Sequence, residues 1–164
     1  MTIIIKNKET LIFEEFQFKC CIGKNGLKKK KIEGDGKTPR GTFEIGNIFF
    51  RKDRVKKPIS KLKCIPIKKN MGWCDDPEDK KNYNKLVYVN KKIKCEKLFR
   101  KDNKYDYFIP IFFNSKKKIY GRGSAIFIHL TKDFSKTLGC IAITKKDFLI
   151  LSKVINKKTK IRIF

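Results

Sequence analysis

A thiol, an imidazole and a glycine carry the chemistry that can be read in this chain. Cys140 lies in the apolar segment Leu138-Gly-Cys-Ile-Ala-Ile143. His129, the sole histidine, lies eleven residues upstream near the end of another, Ala125-Ile-Phe-Ile-His-Leu130. A thiol at its ordinary pKa is mostly protonated at neutral pH. A neighbouring imidazole that takes its proton gives a thiolate–imidazolium pair and a nucleophile. Gly139 removes a side chain beside the sulfur, so a substrate carbonyl can lie against the backbone, with the N–H groups of Gly139 and Cys140 as an oxyanion hole. Taken together the three residues describe acyl transfer by a Cys/His pair. Taken singly, each has a structural reading, a core histidine and a small buried hydrophobe.

The elements that must position these groups are strands. Alternation in 125–130 puts Ala125, Phe127 and His129 on one face and Ile126, Ile128 and Leu130 on the other. Residues 2–5, 11–22, 42–50, 86–89, 105–114 and 160–164 also read as strands. Phe16, Phe18 and Cys20 share a face of the second. Gly34-Asp-Gly-Lys-Thr-Pro-Arg-Gly-Thr-Phe43 holds too many glycines for a helix and reads as a loop. Lys24 to Lys31 reads as a basic, solvated hairpin tip, 51–61 as a loop, 70–84 as a long irregular segment and Cys95–Lys101 as a helical turn. Thr144-Lys-Lys-Asp147 is a capping box that opens a helix with Phe148, Leu149, Leu151 and Ile155 along its apolar stripe. The expected fold is mainly β, a single domain over 1–164 with short helices, including one near the C-terminus.

At 164 residues and 40% hydrophobic content the chain can bury a sizeable core, which excludes a wholly disordered protein. Its formal charge is +26, from 42 Lys plus Arg against 16 Asp plus Glu. Such a surface attracts carboxylates and phosphates. Only six of the basic residues are Arg and only two residues in the chain are Ala, so codon bias and a functional basic surface both account for the charge. A nucleic-acid-binding module is the rival class, favoured by charge and strand aromatics. Scarcity of Arg and the absence of a recognised binding motif argue against it. No apolar run approaches a membrane span or a signal-peptide core, so the expectation is a cytoplasmic protein, periplasmic if exported by an unrecognised route. Six cysteines without a C-x-x-C pair, beside one His, give no expectation of a zinc site; Cys20, Cys21, Cys64, Cys74 and Cys95 read as reduced structural thiols.

Thr137-Leu-Gly-Cys-Ile141, with His129 upstream, resembles the catalytic motif of the L,D-transpeptidase (YkuD-type) family. Gly34-Asp-Gly-Lys-Thr-Pro-Arg-Gly-Thr-Phe43 is similar to that family's amino-terminal loop. Gly72-Trp-Cys-Asp-Asp-Pro77, Tyr83-Asn84 and Gly123-Ser-Ala-Ile-Phe-Ile-His129 resemble a branch of small bacterial members. The resemblance spans about Gly23 to Leu151. Two departures stand out. Leu138 occupies the position of a second His found in better-known members. Ile141-Ala142-Ile143 replaces an Asn or Arg after the Cys, which transfers the substrate-carboxylate contact to Arg122 or a nearby Lys.

The resemblance implies a β-dominated domain with Cys140 in a groove, no cofactor and no metal. It implies cleavage between the third residue of a peptidoglycan stem peptide, usually diaminopimelate, and the following D-Ala. Cys140 is then the nucleophile and His129 the base. Ser124 and Thr137 are expected to bind substrate. Trp73, Asp75 and Asp76 are either groove residues that bind the diaminopimelate amine or, respectively, a core aromatic and a lysine-balancing acidic loop. Asp35 and Thr38 are expected to hold their loop together. The partners are stem peptides or muropeptides. With water as acceptor the enzyme is an L,D-carboxypeptidase, which a cytoplasmic location favours for recycled tetrapeptides. With an amine it forms 3–3 cross-links. A non-catalytic, peptidoglycan-binding domain is a further alternative, against which the pairing of His129 with Cys140 argues.

Overall fold

The computed structural model describes residues 1–29, 32–89 and 93–164. The chain opens with β1 (Thr2–Ile5), β2 (Thr10–Phe13) and β3 (Phe16–Lys19). The expected single strand over 11–22 is thus a hairpin followed by an irregular stretch. The hairpin's two-residue turn places Glu14 at φ 53° without a glycine or asparagine to announce it. Leu27–Lys28 (β4) pairs in parallel with Thr38–Pro39 (β5), so this part of the expected basic tip is extended; Lys30 and Lys31 lie outside the described residues.

The segment 42–50 also splits. Gly41–Glu44 (β6) and Ile48–Phe50 (β7) belong to different sheets. Cys64–Pro66 (β8) follows the expected 51–61 loop. Met71–Trp73 (β9) lies inside the segment read as irregular and pairs with Leu86–Tyr88 (β10). The expected helical turn at Cys95–Lys101 is instead Glu96–Lys97 (β11), because its backbone pairs with Trp73 and Gly72 and its neighbour Leu98 is fully buried. Tyr107–Pro110 (β12), Phe127–Leu130 (β13), Ile141–Ile143 (β14), the helix Lys145–Val154 (α1) and Lys160–Ile163 (β15) complete the fold. Among the described residues α1 is the only α-helix, in a mainly β chain.

Two five-stranded sheets dominate, ordered β3-β2-β1-β15-β6 and β14-β13-β12-β7-β8. Between them lies an aliphatic core that includes Ile3, Ile5, Leu11, Ile128, Ile141 and Ile161, closed by Phe148 and Leu151 of α1. Thr144 caps the helix: its Oγ1 accepts the N–H of Asp147 and donates to Asp147 Oδ2, in place of the capping box's reciprocal bond to the Thr144 backbone. A second core of Trp73, Tyr105, Phe108, Phe127 and Ala125 covers the opposite face of β13. The expected strand over 125–130 begins only at Phe127, because Ala125 is in the left-handed region at φ 52°, yet its apolar residues still divide between the two cores. Among the described residues no helix is long and apolar enough to cross a membrane.

Candidate active site

β13 and β14 run parallel, with His129 opposite Ala142 and Ile128 opposite Ile141. Cys140 precedes β14 by one residue and, by the two-residue period of a strand, lies on the same face as Ala142. The offset between His129 and Cys140 along the sheet is therefore two residues, about 6.6 Å. Both side chains line one cavity of about 400 Å³, together with Ser124, Ala125, Thr137, Leu138 and Gly139.

The sulfur is held by backbone. Its S–H donates to Ala125 O and it accepts the Phe127 N–H, each at 3.3 Å. Ala125 is in the left-handed region at φ 52°, a conformation that strains a non-glycine residue. Asn84 holds it there. Its Oδ1 accepts the N–H of Ala125 at 3.2 Å and the indole N–H of Trp73 at 3.0 Å, while its Nδ2 donates to the carbonyls of Phe113 and Asn114.

His129 is 6% exposed and packs edge-on against Tyr105, ring centroids 5.5 Å apart. Its Nδ1 lies 2.9 Å from Leu130 O, which can only accept, so Nδ1 carries the proton and Nε2 is the basic nitrogen. Burial is the main cause that lowers the imidazole pKa to about 4, opposed by the Leu130 contact and reinforced by nearby Lys104 and Arg100. At neutral pH the resting imidazole is therefore neutral. Burial raises the other five thiols, Cys20 to about 12.

Gly139 sits at φ +145°, and a Cβ there would stand 2.9 Å from Lys37 O. The Gly34–Phe43 loop thus packs directly under the nucleophile turn. Thr38 Oγ1 accepts the Gly23 N–H and donates to Gly139 O, both at 2.8 Å, and Asp35 Oδ1 accepts the Lys37 N–H. Thr137 Oγ1 donates to Cys140 O at 2.6 Å and accepts the Gly139 N–H at 3.1 Å. That N–H, expected in the oxyanion hole, is engaged with Thr137.

The remaining expected residues divide. Asp75, Ser124 and Thr137 line the cavity; Trp73, Asp76 and Arg122 do not. Trp73 is 7% exposed, packs edge-on against Phe127, and donates to Asn84; it is a core aromatic because its strand faces the second core. Asp76 accepts the Glu78 N–H in a local turn. In place of Arg122 the cations on the cavity are Arg100, Lys104 and Lys136. Sequence reasoning did not single out Tyr105, Glu33 or Glu96, all on this cavity, and it gave Asn84 no role. Glu33 was adjacent to the noted glycine loop; nothing local marks Glu96.

The model of the L,D-transpeptidase catalytic domain, YkuD, matches residues 1–163. The chain belongs to the YkuD family. That family acts on the peptides of peptidoglycan, and the Gly-Cys turn and its histidine lie within the matched span. Among solved structures the chain is similar to a mutant of the helical cell shape determining protein Pgp2 from Campylobacter jejuni, at 18% identity and a TM-score of 0.49. The alignment covers 99% of this chain and 46% of that one, so the chain spans about half the length of Pgp2. No curated protein matches it.

Proposed function

We propose that the chain is a cysteine-dependent acyltransferase that opens the bond between the third residue of a stem peptide and the following D-Ala. The observation that carries this reading is the joint placement of Cys140 and a neutral, tautomer-fixed His129 on one cavity. His129 Nε2 takes the thiol proton as Sγ bonds to the carbonyl carbon. The oxyanion is received by the main-chain N–H groups of Cys140 and Gly139, the latter exchanging its Thr137 partner for substrate. Collapse of the tetrahedral intermediate breaks the C–N bond, the imidazolium returns its proton to the departing nitrogen, and D-Ala leaves a thioester on Cys140.

Water is the proposed acceptor. His129 removes its proton, the C–S bond breaks, and the thiol and a tripeptide carboxylate are regenerated, an L,D-carboxypeptidase cycle suited to recycled tetrapeptides. A cavity of about 400 Å³ suits one peptide arm. The second reading is 3–3 cross-linking. It is favoured by a neighbouring groove lined by Lys8, Lys19, Lys24, Lys28, Lys37 and Lys136, which shares Lys136 with the catalytic cavity and offers cations to a second, carboxylate-bearing stem.

Mass spectrometry of the protein mixed with a diaminopimelate tetrapeptide tests both. Loss of one D-Ala that disappears in Cys140→Ala is the expected result. Joined tripeptide–tetrapeptide products would replace the hydrolytic reading with the cross-linking one, and an unchanged peptide would refute the reaction.

A further inference from the structure

Leu130 O holds one ring nitrogen of His129, Nδ1. The other, Nε2, has to reach the thiol of Cys140, two residues along the sheet. A misplacement of about 1 Å at a reacting group costs about 10²-fold in rate. What seats the imidazole therefore matters as much as its basicity. The ring packed against it is Tyr105, with centroids 5.5 Å apart and planes at 66°.

Tyr105 is buried. Its ring lies 5.3 Å from Phe108 and 5.6 Å from Phe127, and the Arg100 guanidinium stands over it, 5.0 Å from the centroid. Apolar packing is largely non-directional, so these contacts leave the ring free to slide in its own plane. The directional contact is at its far end, where the Tyr105 hydroxyl donates to Glu96 Oε1. Burial, and next the charge of Cys140, push the phenol well up, so it stays an O–H donor.

Glu96 is itself anchored. It belongs to β11, whose backbone pairs with Trp73 of β9. Arg100 stands 3.9 Å from it, but the closer bonds of that guanidinium go to Asp102, at 2.6 and 3.0 Å. The close partner of the Glu96 carboxylate is thus a neutral hydroxyl rather than a cation. Partial burial pushes its carboxyl up, and the Tyr105 hydroxyl is the strongest influence against that. Carboxylates in such surroundings concentrate at functional sites.

Resting on the acyl-transfer reading above, we infer that Glu96 is a positioning residue for His129. It fixes the Tyr105 hydroxyl, the hydroxyl fixes how far the ring reaches, and the ring fixes the direction in which Nε2 points. The role asks for an acceptor at Oε1 and not for a charge. A carboxylate that touches substrate, the other role open to a residue on the cavity wall, would need the charge. The amide of Gln serves the first role and not the second.

The sole histidine makes the test direct. Heteronuclear NMR of the imidazole nitrogens in the untagged protein, at neutral pH, reports that one residue and needs no substrate. The expected parent spectrum is that of a single tautomer protonated at Nδ1. Tyr105→Phe, which keeps the ring, and Glu96→Ala should both shift the signals toward mixed tautomers. Glu96→Gln should return them to the parent pattern. In D-Ala release from the diaminopimelate tetrapeptide, Tyr105→Phe and Glu96→Ala should lose about 10- to 10²-fold in kcat, with KM within about twofold of the parent. Glu96→Gln should lose less than about threefold. The double variant should be no slower than Tyr105→Phe alone, since the two residues act in series. Should Glu96→Ala not fold, Tyr105→Phe and Glu96→Gln decide. Parental imidazole signals in Tyr105→Phe would overturn the proposal, as would a loss expressed in KM or a Glu96→Gln variant as slow as Tyr105→Phe. Full activity of Tyr105→Phe would overturn it and leave acyl transfer standing. Altered tautomers with no D-Ala release by the parent would leave the seating of His129 standing and remove acyl transfer.

Discussion

The two faces of β13 are built from one six-residue stretch and solve opposite problems. Ile126, Ile128 and Leu130 enter the large, mostly aliphatic core. Ala125 and Phe127 enter the aromatic core, and Ala125 and His129 line the catalytic cavity, whose wall Ile126 and Leu130 also reach. There a strained backbone, an imidazole held neutral and a sulfur bound by main-chain groups coexist with packing. The aliphatic face supplies stability, by roughly 25 cal/mol per Å² of buried apolar surface. The other face carries strain that the first must offset. Site geometry and fold stability are thus separable along a single strand, and substitutions on the two faces should dissociate them.

The largest expected effect is on the chemical face. Cys140→Ala should lower D-Ala release by at least about 10³-fold while the thermal midpoint stays near that of the parent; a large fall in the midpoint would mean that the sulfur is a packing group. Ile128→Ala, on the other face, should cost about 2–5 kcal/mol in denaturant unfolding and leave turnover per folded molecule unchanged. Asn84→Ala should cross the divide. It removes the acceptor for Ala125 and Trp73, costs about 1–3 kcal/mol, shifts the fluorescence of the single tryptophan and slows alkylation of Cys140.

The smallest effect is one of pH. His129 titrates near pH 4 in the fold against 6.5 for an ordinary histidine, so the unfolded chain binds the extra proton first as pH falls. Stability from the neutral imidazole is complete above about pH 6.5 and is lost progressively toward pH 4. His129→Gln should flatten the stability profile across that window. The acid limb of kcat/KM should likewise fall near pH 4, since the free enzyme's base sets it.

What was legible in the sequence follows the same divide. The alternation over Phe127–Leu130, the Thr144 cap and the apolar stripe of α1 are local patterns and appear as read, while the two residues before Phe127 leave the strand. That Cys140 and His129 line one cavity was legible because both residues sit on adjacent apolar segments with a short polar connection. The β2–β3 turn was hidden because Glu14 and Glu15 are poor turn markers and tertiary pairing of the flanking strands imposes the reversal. Cys95–Lys101 was misread because its strand exists only through pairing with β9, a long-range contact. Trp73 fell between groove and core for a similar reason: its partner Asn84 is eleven residues away and its ring partner Phe127 lies on another sheet.

β15 lies inside its sheet, hydrogen-bonded to β1 on one side and β6 on the other. A chain emerging from the ribosome presents β1 and β6 long before the strand that joins them. Until residue 163 is free, each has an unsatisfied edge open to foreign strands. The cost of closing so long a loop comes before its reward, which slows this sheet relative to locally paired folds. Its assembly thus waits on β15, and a nascent chain stalled short of Ile161 would be a substrate for chaperones rather than a smaller enzyme.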